Sequence, residues 1–182
     1  LPSEFPPLNT LSGADVFGTL LRTDLTGWTT LLRVLGDEAA LAAASRYHAI
    51  IDRAAETHRG RALELVADHG IAFFERPRDA VRAALAVRDA VRDDPWVSDE
   101  HRCALRCGIH SARFVSVQPG QLGSAAPYVI RLCDTAEPWQ ILVSHATEAL
   151  LEGDAPEFEL EDLGERTLAG RDRPDRVFGL PA

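Results

Sequence analysis

Residues 63–74, LELVADHGIAFF, place a short polar segment between two apolar runs. The segment Ala67-Asp68-His69-Gly70 contains Asp, His and Gly, which tolerate the left-handed backbone that a tight turn requires. The stretch therefore predicts a β-hairpin with Asp68 at its tip. Asp68 either only forms the turn or also presents its carboxylate to a ligand, and the hairpin alone leaves both interpretations open.

The chain before the hairpin predicts a linker, a strand and a long helix. Residues 1–14 are rich in Pro, Ser and Gly without periodicity, which is typical of a linker, and residues 15–182 form the domain. Residues 16–22, VFGTLLR, are apolar enough for a buried strand. A helical pattern follows TDLTGWT, and Asp37 is a suitable N-cap for a long helix that Gly60 ends. The apolar face of that helix holds Leu41, Ala44, Tyr47 or His48, Ile51 and Ala55.

The chain after the hairpin alternates helices and strands. Pro77 begins a helix, residues 103–110 and 112–117 predict a strand pair, and PGQLG predicts a turn. A short helix follows at 124–134, then the strand WQILVS, the helix HATEALLE and two short final strands. This order indicates an α/β (α+β) sandwich with a mixed or antiparallel sheet, close to a split βαβ core.

The composition excludes several classes of function. The net charge of −9 argues against nucleic acid and against contact with an anionic membrane, because both partners require a basic patch. Cys103, Cys107 and Cys133 are too few for a disulfide framework or a zinc site, so we expect a reducing cytoplasm. All 19 basic residues are Arg, and therefore no mechanism that needs a Lys can operate with this chain alone.

Two carboxylates stand where a metal-nucleotide site can form. Asp24 ends an apolar strand, and a helix with a Gly and small hydroxyl residues begins directly after it. The start of a helix favours phosphate because its free amides and its dipole point at the anion. If the hairpin pairs beside this strand, Asp24 and Asp68 can hold Mg²⁺ on a nucleoside triphosphate. The alternative is that Asp24 caps the helix and Asp68 forms a turn.

The ordered set of segments resembles a known family. TDLTGWTTLLRVLGDEAALAAASRYHAII, HRGRALELVADHGIAFFERPRDAVRAALAVRDAV, LRCGIHSARF, GQLGSAAPYVIRLC, QILVS and LGERTLAGRDRPDRVFGL are similar, in order, to segments of the class III adenylate/guanylate cyclase homology domain. The resemblance covers about residues 15–180. It implies a ferredoxin-like sandwich with a split βαβ core that works as a head-to-tail dimer. Each active site then takes two metal-binding Asp from one subunit. The other subunit supplies a base-selecting Lys with its polar partner, and a transition-state Asn and Arg.

The metal half of such a site is matched in this chain. The resemblance implies that Asp24 and Asp68, with the backbone of Leu25, bind Mg²⁺ or Mn²⁺. It assigns the nucleotide phosphate loop to Thr26, Gly27, Trp28 and Thr29. The implied ligands are ATP or GTP.

The opposite half departs from the family pattern. Glu64 stands at the position of the base-selecting Lys, Gly120 at that of its polar partner and Pro127 at that of the Asn, whereas Arg131 is retained as a phosphate or transition-state contact. Losing one preorganised polar group in an active site costs about 10² to 10³ in rate. We therefore expect a degenerate cytoplasmic signalling domain that forms a homodimer or a heterodimer with a related cyclase domain and binds a nucleoside triphosphate with metal. The alternative is an active, or heterodimer-complemented, cyclase that converts ATP or GTP to the cyclic nucleotide and pyrophosphate.

Overall fold

The computed structural model describes residues 15–95, 103–115 and 125–181. The linker predicted for residues 1–14, the PGQLG turn and Gly120 lie outside the described residues. No helix in the described part of the chain is long and apolar enough to cross a membrane. The helices and strands are β1 (Asp15–Thr26), α1 (Trp28–Thr57), β2 (Gly60–Val66), β3 (His69–Phe74), α2 (Pro77–Arg92), β4 (Ala104–Val115), α3 (Ala125–Asp134), β5 (Ile141–Ser144), α4 (His145–Asp154), β6 (Glu161–Arg166) and β7 (Asp175–Gly179).

Within the described residues, the strands form one mixed sheet in the order β2-β3-β1-β4-β5-β7-β6. The β4–β5 pair is parallel and the other neighbouring pairs are antiparallel. Since β3 is antiparallel to both of its neighbours, β1 and β2 run parallel with β3 between them, and α1 connects them. This arrangement is the split βαβ unit, and the predicted fold class is confirmed.

Alternation along the central strand β1 separates two apolar layers. Leu21 packs in the layer of α1, α2 and α4. Leu20 lies on the opposite face of the sheet and packs with α3 and with Ile71 and Phe73 of β3. Successive side chains of a strand point to opposite faces of the sheet, so two adjacent leucines supply both layers. Both are at most 1% exposed. Within the described residues, the sheet therefore lies between a layer of α1, α2 and α4 and a layer formed by α3.

The helix α1 begins earlier than Asp37 and bends beside it. Gly27 occupies its N-cap with φ 82, and Gly36 has a non-helical φ of 76, so two helical segments meet at Gly36. The predicted buried face holds at Ala44, Tyr47, Ile51 and Ala55, all of which are buried. The prediction for Leu41 was wrong, because the helix turns Ala40, Ala43 and Ala44 to the core and leaves Leu41 71% exposed.

The predicted strand pair at residues 103–110 and 112–117 was also wrong, because β4 is one continuous strand. Its register with β1 runs without a break through Thr19↔Ser111 and Gly18↔Ala112. The Thr19 and Ser111 hydroxyls hydrogen-bond across the pair at 2.8 Å. The small residues at 111 and 112 therefore continue the β1–β4 ladder instead of forming a turn.

The hairpin of β2 and β3 has a shorter turn than the sequence suggests. Only Ala67 and Asp68 lie in the turn, with Ala67 in the left-handed region at φ 47, while His69 pairs with Val66 and Gly70 with Leu65. A Cβ at Gly70 would lie 2.8 Å from Ile51 Cδ1 of α1. Gly70 thus serves the close approach of α1 to the sheet and not the turn itself.

The close approach of α3 to β4 at Gly108 provides a test of this packing. A Cβ at Gly108 would lie 2.8 Å from the Cys133 amide nitrogen and 2.9 Å from the Val129 carbonyl oxygen, so Gly108→Ala must push the helix away. We expect the variant to lose about 1–3 kcal/mol of unfolding free energy in urea denaturation. The matched control is Gly153→Ala in α4, where a Cβ meets no atom within 4 Å; this change should be neutral or stabilise by about 0.5–1 kcal/mol. Equal free energies of unfolding for the two variants would contradict the packing described here.

Candidate functional site

Asp24 and Asp68 are neighbours at one end of the sheet. Asp24 lies two residues before the end of β1 and pairs in register with His69 of β3. The Leu25 amide donates a hydrogen bond of 2.8 Å to the Asp68 carbonyl oxygen, which ties the tip of the hairpin to β1. The structure therefore brings together the two carboxylate residues that the sequence singled out, directly before α1 begins.

The Asp24 carboxylate forms an ion pair with Arg106, an arginine that the sequence did not single out. Arg106 of β4 pairs in register with Asp24, and its Nε and Nη2 donate hydrogen bonds of 3.1 and 2.5 Å to Asp24 Oδ2. Arg22 Nη2 lies 4.0 Å from the other oxygen, Oδ1. Burial acts to lower the pKa of Arg106, but the hydrogen bond and charge of Asp24 outweigh it and raise that pKa. Asp24 is thus held between two guanidinium groups.

The start of α1 has some of the features of a phosphate loop. The Gly27 carbonyl accepts hydrogen bonds from the amides of Thr30 and Leu31 at 3.0 Å, and no side chain caps this helix start. The Thr26 hydroxyl donates to the Ala104 carbonyl at 3.1 Å, so this hydroxyl already has a structural partner. Trp28 is partly buried against a small cluster that contains Leu31, which favours a packing role for the indole.

Glu64 lies on the same hairpin as Asp68, and His69 stands between the two carboxylates. His69 Nε2 is 3.4 Å from Glu64 Oε1, and His69 Nδ1 is 3.5 Å from Asp68 Oδ1. Glu64 is exposed, and the β2–β3 register shifts between Ala62 and Glu64. The hairpin tip therefore presents acidic groups around one imidazole.

The residues of the predicted opposite half lie on α3. Pro127 is exposed in the first turn, and Arg131 is half-buried near the end of the helix. Arg131 Nη2 would be 3.5 Å from a Cβ at Gly170, so it lies beside the β6–β7 connection. Within the described residues, no hydrogen bond or ion pair joins Arg131 to Asp24 or Asp68. One copy of the chain thus does not bring Arg131 to the two carboxylates, and Gly120 lies outside the described residues.

The oxygen donors at the end of β1 fit a hard divalent cation. Two carboxylates next to a helix start suit Mg²⁺ or Mn²⁺, which commonly bind one or two protein carboxylates together with substrate phosphates. Among the residues that the structure describes, no group of three His, Cys, Asp or Glu side chains is placed to hold a metal ion. Asp24 and Asp68 would therefore need the oxygens of a bound polyphosphate to complete the coordination.

A second polar region surrounds His110. The His110 and Tyr128 rings stack with their centroids 3.9 Å apart. The Arg171 guanidinium also lies over the Tyr128 ring, 5.2 Å from its centroid. These residues line an open cavity of about 560 Å³ with Asp175 and Arg176. Burial lowers the pKa of His110 to about 4, and burial raises the pKa of Tyr128 to about 12. His110 is therefore neutral near pH 7.

A chain of hydroxyls connects His110 to the core. His110 Nδ1 lies 2.9 Å from Ser144 Oγ, Ser144 Oγ lies 3.1 Å from Thr147 Oγ1, and Thr147 Oγ1 donates to Ser111 Oγ at 3.1 Å. Ser111 Oγ then pairs with Thr19 Oγ1 at 2.8 Å. Ser144 also caps α4 by accepting from the Thr147 amide. These contacts assign His110 a structural role, because its inner nitrogen is engaged by a buried network.

Comparison with solved structures places this fold among nucleotide cyclase domains. The adenylyl cyclase CyaB from P. aeruginosa matches with a TM-score of 0.78 and 20% identity, over 92% of this chain and 96% of that one. The guanylate cyclase domain of RhGC from Catenaria anguillulae, solved in complex with GTP, matches with a TM-score of 0.80 and 16% identity, over 91% and 96%. The non-canonical dimeric guanylyl cyclase domain of RhoGC from Blastocladiella emersonii matches with a TM-score of 0.75 and 13% identity, over 90% and 95%.

The chain therefore has the fold of class III adenylyl and guanylyl cyclase domains, as the sequence resemblance implied. No family model matches the sequence, and no curated protein matches it either. The similarity to these cyclase domains therefore rests on the three-dimensional arrangement of the helices and strands. The roles of Asp24, Asp68, Arg131 and the phosphate loop stay predictions.

The burial of His110 predicts a pH dependence of stability. Because the folded pKa of about 4 is below the ordinary value of 6.5, the unfolded chain takes up a proton first as the pH falls. His110 therefore contributes stability above pH 6.5, and up to about 3 kcal/mol of it is lost as the pH falls to about 4.

Denaturation of the protein and of His110→Asn at several pH values between 4 and 7 tests this. The variant keeps a polar group near Ser144 but has no imidazole to protonate. Its unfolding free energy should depend less steeply on pH than that of the parent. Identical slopes would show that His110 is not the group responsible.

Proposed function

We propose that the chain is a cyclase-homology signalling domain that dimerises and binds a nucleoside triphosphate with Mg²⁺ or Mn²⁺, without efficient cyclisation on its own. The observation that carries this proposal is the juxtaposition of Asp24 and Asp68 at the start of α1. The solved relative from Catenaria anguillulae, with the same fold, was crystallised with GTP, which supports a nucleoside triphosphate as ligand.

Asp24 and Asp68 are the residues that would hold the cation in this proposal. When bound, the cation would neutralise the charge of the triphosphate. The amide groups at the start of α1, after Gly27, would bind the phosphates, because helix N-termini favour anions. Arg106 adds a guanidinium at the same place, and arginine binds phosphate through paired hydrogen bonds.

The positions at which the family recognises the base and the ribose lack the expected polar groups in this chain. Glu64 is an exposed carboxylate whose neighbour is His69, so this position carries the opposite charge to a base-selecting Lys. Pro127 has no side-chain donor, and the sequence contains no Lys at all. These features support binding of the phosphates with little cyclisation in a homodimer.

The second candidate function is that of one half of an active heterodimer. The observation that favours it lies in the sequence resemblance. The metal-binding residues match the family pattern, whereas the opposite half of the site keeps only Arg131. A related cyclase domain with Lys and Asn at the positions of Glu64 and Pro127 would complete one site. The dimeric relative from Blastocladiella emersonii supports association as the mode of action.

Cyclase assays distinguish the two functions. The chain alone, incubated with Mn²⁺ and ATP or GTP, should give no cyclic product above the level of Asp24→Ala. Added together with a related domain that supplies Lys and Asn, the same chain should give product if the heterodimer function holds. Turnover by the chain alone that Asp24→Ala abolishes would refute the degenerate function.

Nucleotide binding is tested by calorimetry with Mn²⁺ and ATP or GTP. We expect binding at up to millimolar nucleotide, and Asp24→Asn should weaken it by at least about tenfold, because outer-shell changes alone cost about 10- to 100-fold in metal affinity. Asp94→Asn is the matched control, since Asp94 also accepts from the Nε and Nη2 of one arginine, Arg46. Absence of binding at millimolar nucleotide would leave only an interaction role.

A further inference from the structure

The Asp24 carboxylate already forms an ion pair with a positively charged side chain of the protein, Arg106. Arg106 directs two N–H groups at one oxygen, Oδ2, and Arg22 lies 4.0 Å from the other. The Asp24 side chain is 13% exposed and that of Arg106 23%. An entering metal ion would therefore meet an acid that is shielded from water and paired with a positive charge.

The position of Arg106 is fixed from two sides. The register between β1 and β4 sets it opposite Asp24, and its Nη1 donates at 3.3 Å to the carbonyl of Asp134 at the end of α3. The C-terminus of a helix carries partial negative charge, which favours a guanidinium there. In addition, Cys133 Sγ donates to the Arg106 carbonyl at 3.5 Å, so its backbone is held by the same helix.

We propose that Arg106 is a resident counter-ion that competes with the divalent cation for Asp24, so that the metal binds well only together with a polyphosphate. This inference rests on the proposed function, because it takes Asp24 as the metal ligand. Arg106 is thereby a positioning residue that couples the binding of metal and nucleotide. Asp24 cannot fully serve two cations at once, and each cation lowers the attraction of the carboxylate for the other.

A polyphosphate resolves this competition through its own charge. Its oxygens offer the guanidinium a bidentate partner close to Asp24, because arginine matches the geometry of phosphate. The Asp24 carboxylate is then available to the metal, while the phosphates compensate both cations. Without the polyphosphate, displacing Arg106 would leave a guanidinium of low exposure without its carboxylate, which is unfavourable.

The test compares free Mn²⁺ binding in Arg106→Gln, Arg106→Lys and Arg46→Gln. Arg46 is the matched control because it makes the same two contacts, from Nε and Nη2, to Asp94 in the groove between α1 and α2. Electron paramagnetic resonance reports unbound Mn²⁺ directly. Each protein is titrated with and without ATP and GTP analogues that carry a methylene group between the α and β phosphates, so no turnover is needed.

Arg106→Gln should bind free Mn²⁺ at least about tenfold more tightly than the parent and Arg46→Gln, since removing a charge at contact distance changes affinity on this scale. The analogue should tighten Mn²⁺ binding by about tenfold or more in the parent and much less in Arg106→Gln. Arg106→Lys keeps the charge and should resemble the parent for free Mn²⁺. If the Gln variant does not fold, Arg106→Ala removes the same charge and should bind free Mn²⁺ more tightly than Arg106→Lys.

Two results would overturn the inference: equal free Mn²⁺ affinity in the parent and Arg106→Gln, or an analogue that binds and tightens Mn²⁺ binding equally in both. Failure of the proposed function looks different. In that case the analogue binds to none of the proteins, yet Arg106→Gln still gains affinity for free Mn²⁺, which supports the competition at Asp24 and refutes nucleotide binding.

Discussion

The antiparallel ladder between β1 and β4 is the contact on which the other features of the domain depend. It pairs every residue of the twelve-residue strand β1, from Asp15↔Val115 to Thr26↔Ala104. Its middle places Leu20 and Leu21 in the two apolar layers. Its far end sets Asp24 opposite Arg106, so the register that organises the core also decides which charges meet at the candidate site.

The local elements follow from patterns of a few residues, and the errors arise where tertiary contacts override such patterns. Pro77 and the apolar spacing after it are enough to predict α2, and the hairpin is evident from its two apolar runs. The division of β4 at residues 111 and 112 was wrong because small residues resemble a turn until the partner strand β1 is known. Leu41 is exposed because the helix turns Ala40, Ala43 and Ala44 to the core, which apolarity alone does not reveal.

The site was accessible from sequence only in part, for a similar reason. Asp24 and Asp68 each end an apolar run, so a strand-end position could be assigned to both, and the structure makes them neighbours. Arg106 was missed because its partner lies 82 residues away, and only the register of two distant strands reveals the pair. Glu64, which lies 3.4 Å from His69, directly follows a shift in the β2–β3 register that no residue pattern in β2 marks.

The placement of charge at this end of the sheet bears on what one copy of the domain can recognise. The hairpin tip is acidic, with Glu64 beside His69, whereas the guanidinium groups of Arg22 and Arg106 belong to the central strands next to Asp24. Cations beside a helix start bind phosphate regardless of which base is attached, since every nucleoside triphosphate carries the same anionic groups. Discrimination between bases needs polar groups matched to the base edge, because unpaired buried polar groups are what reject a wrong ligand. In the proposed function, a chain with this placement of charge would hold a triphosphate through its phosphate groups and would leave selection of the base to a partner.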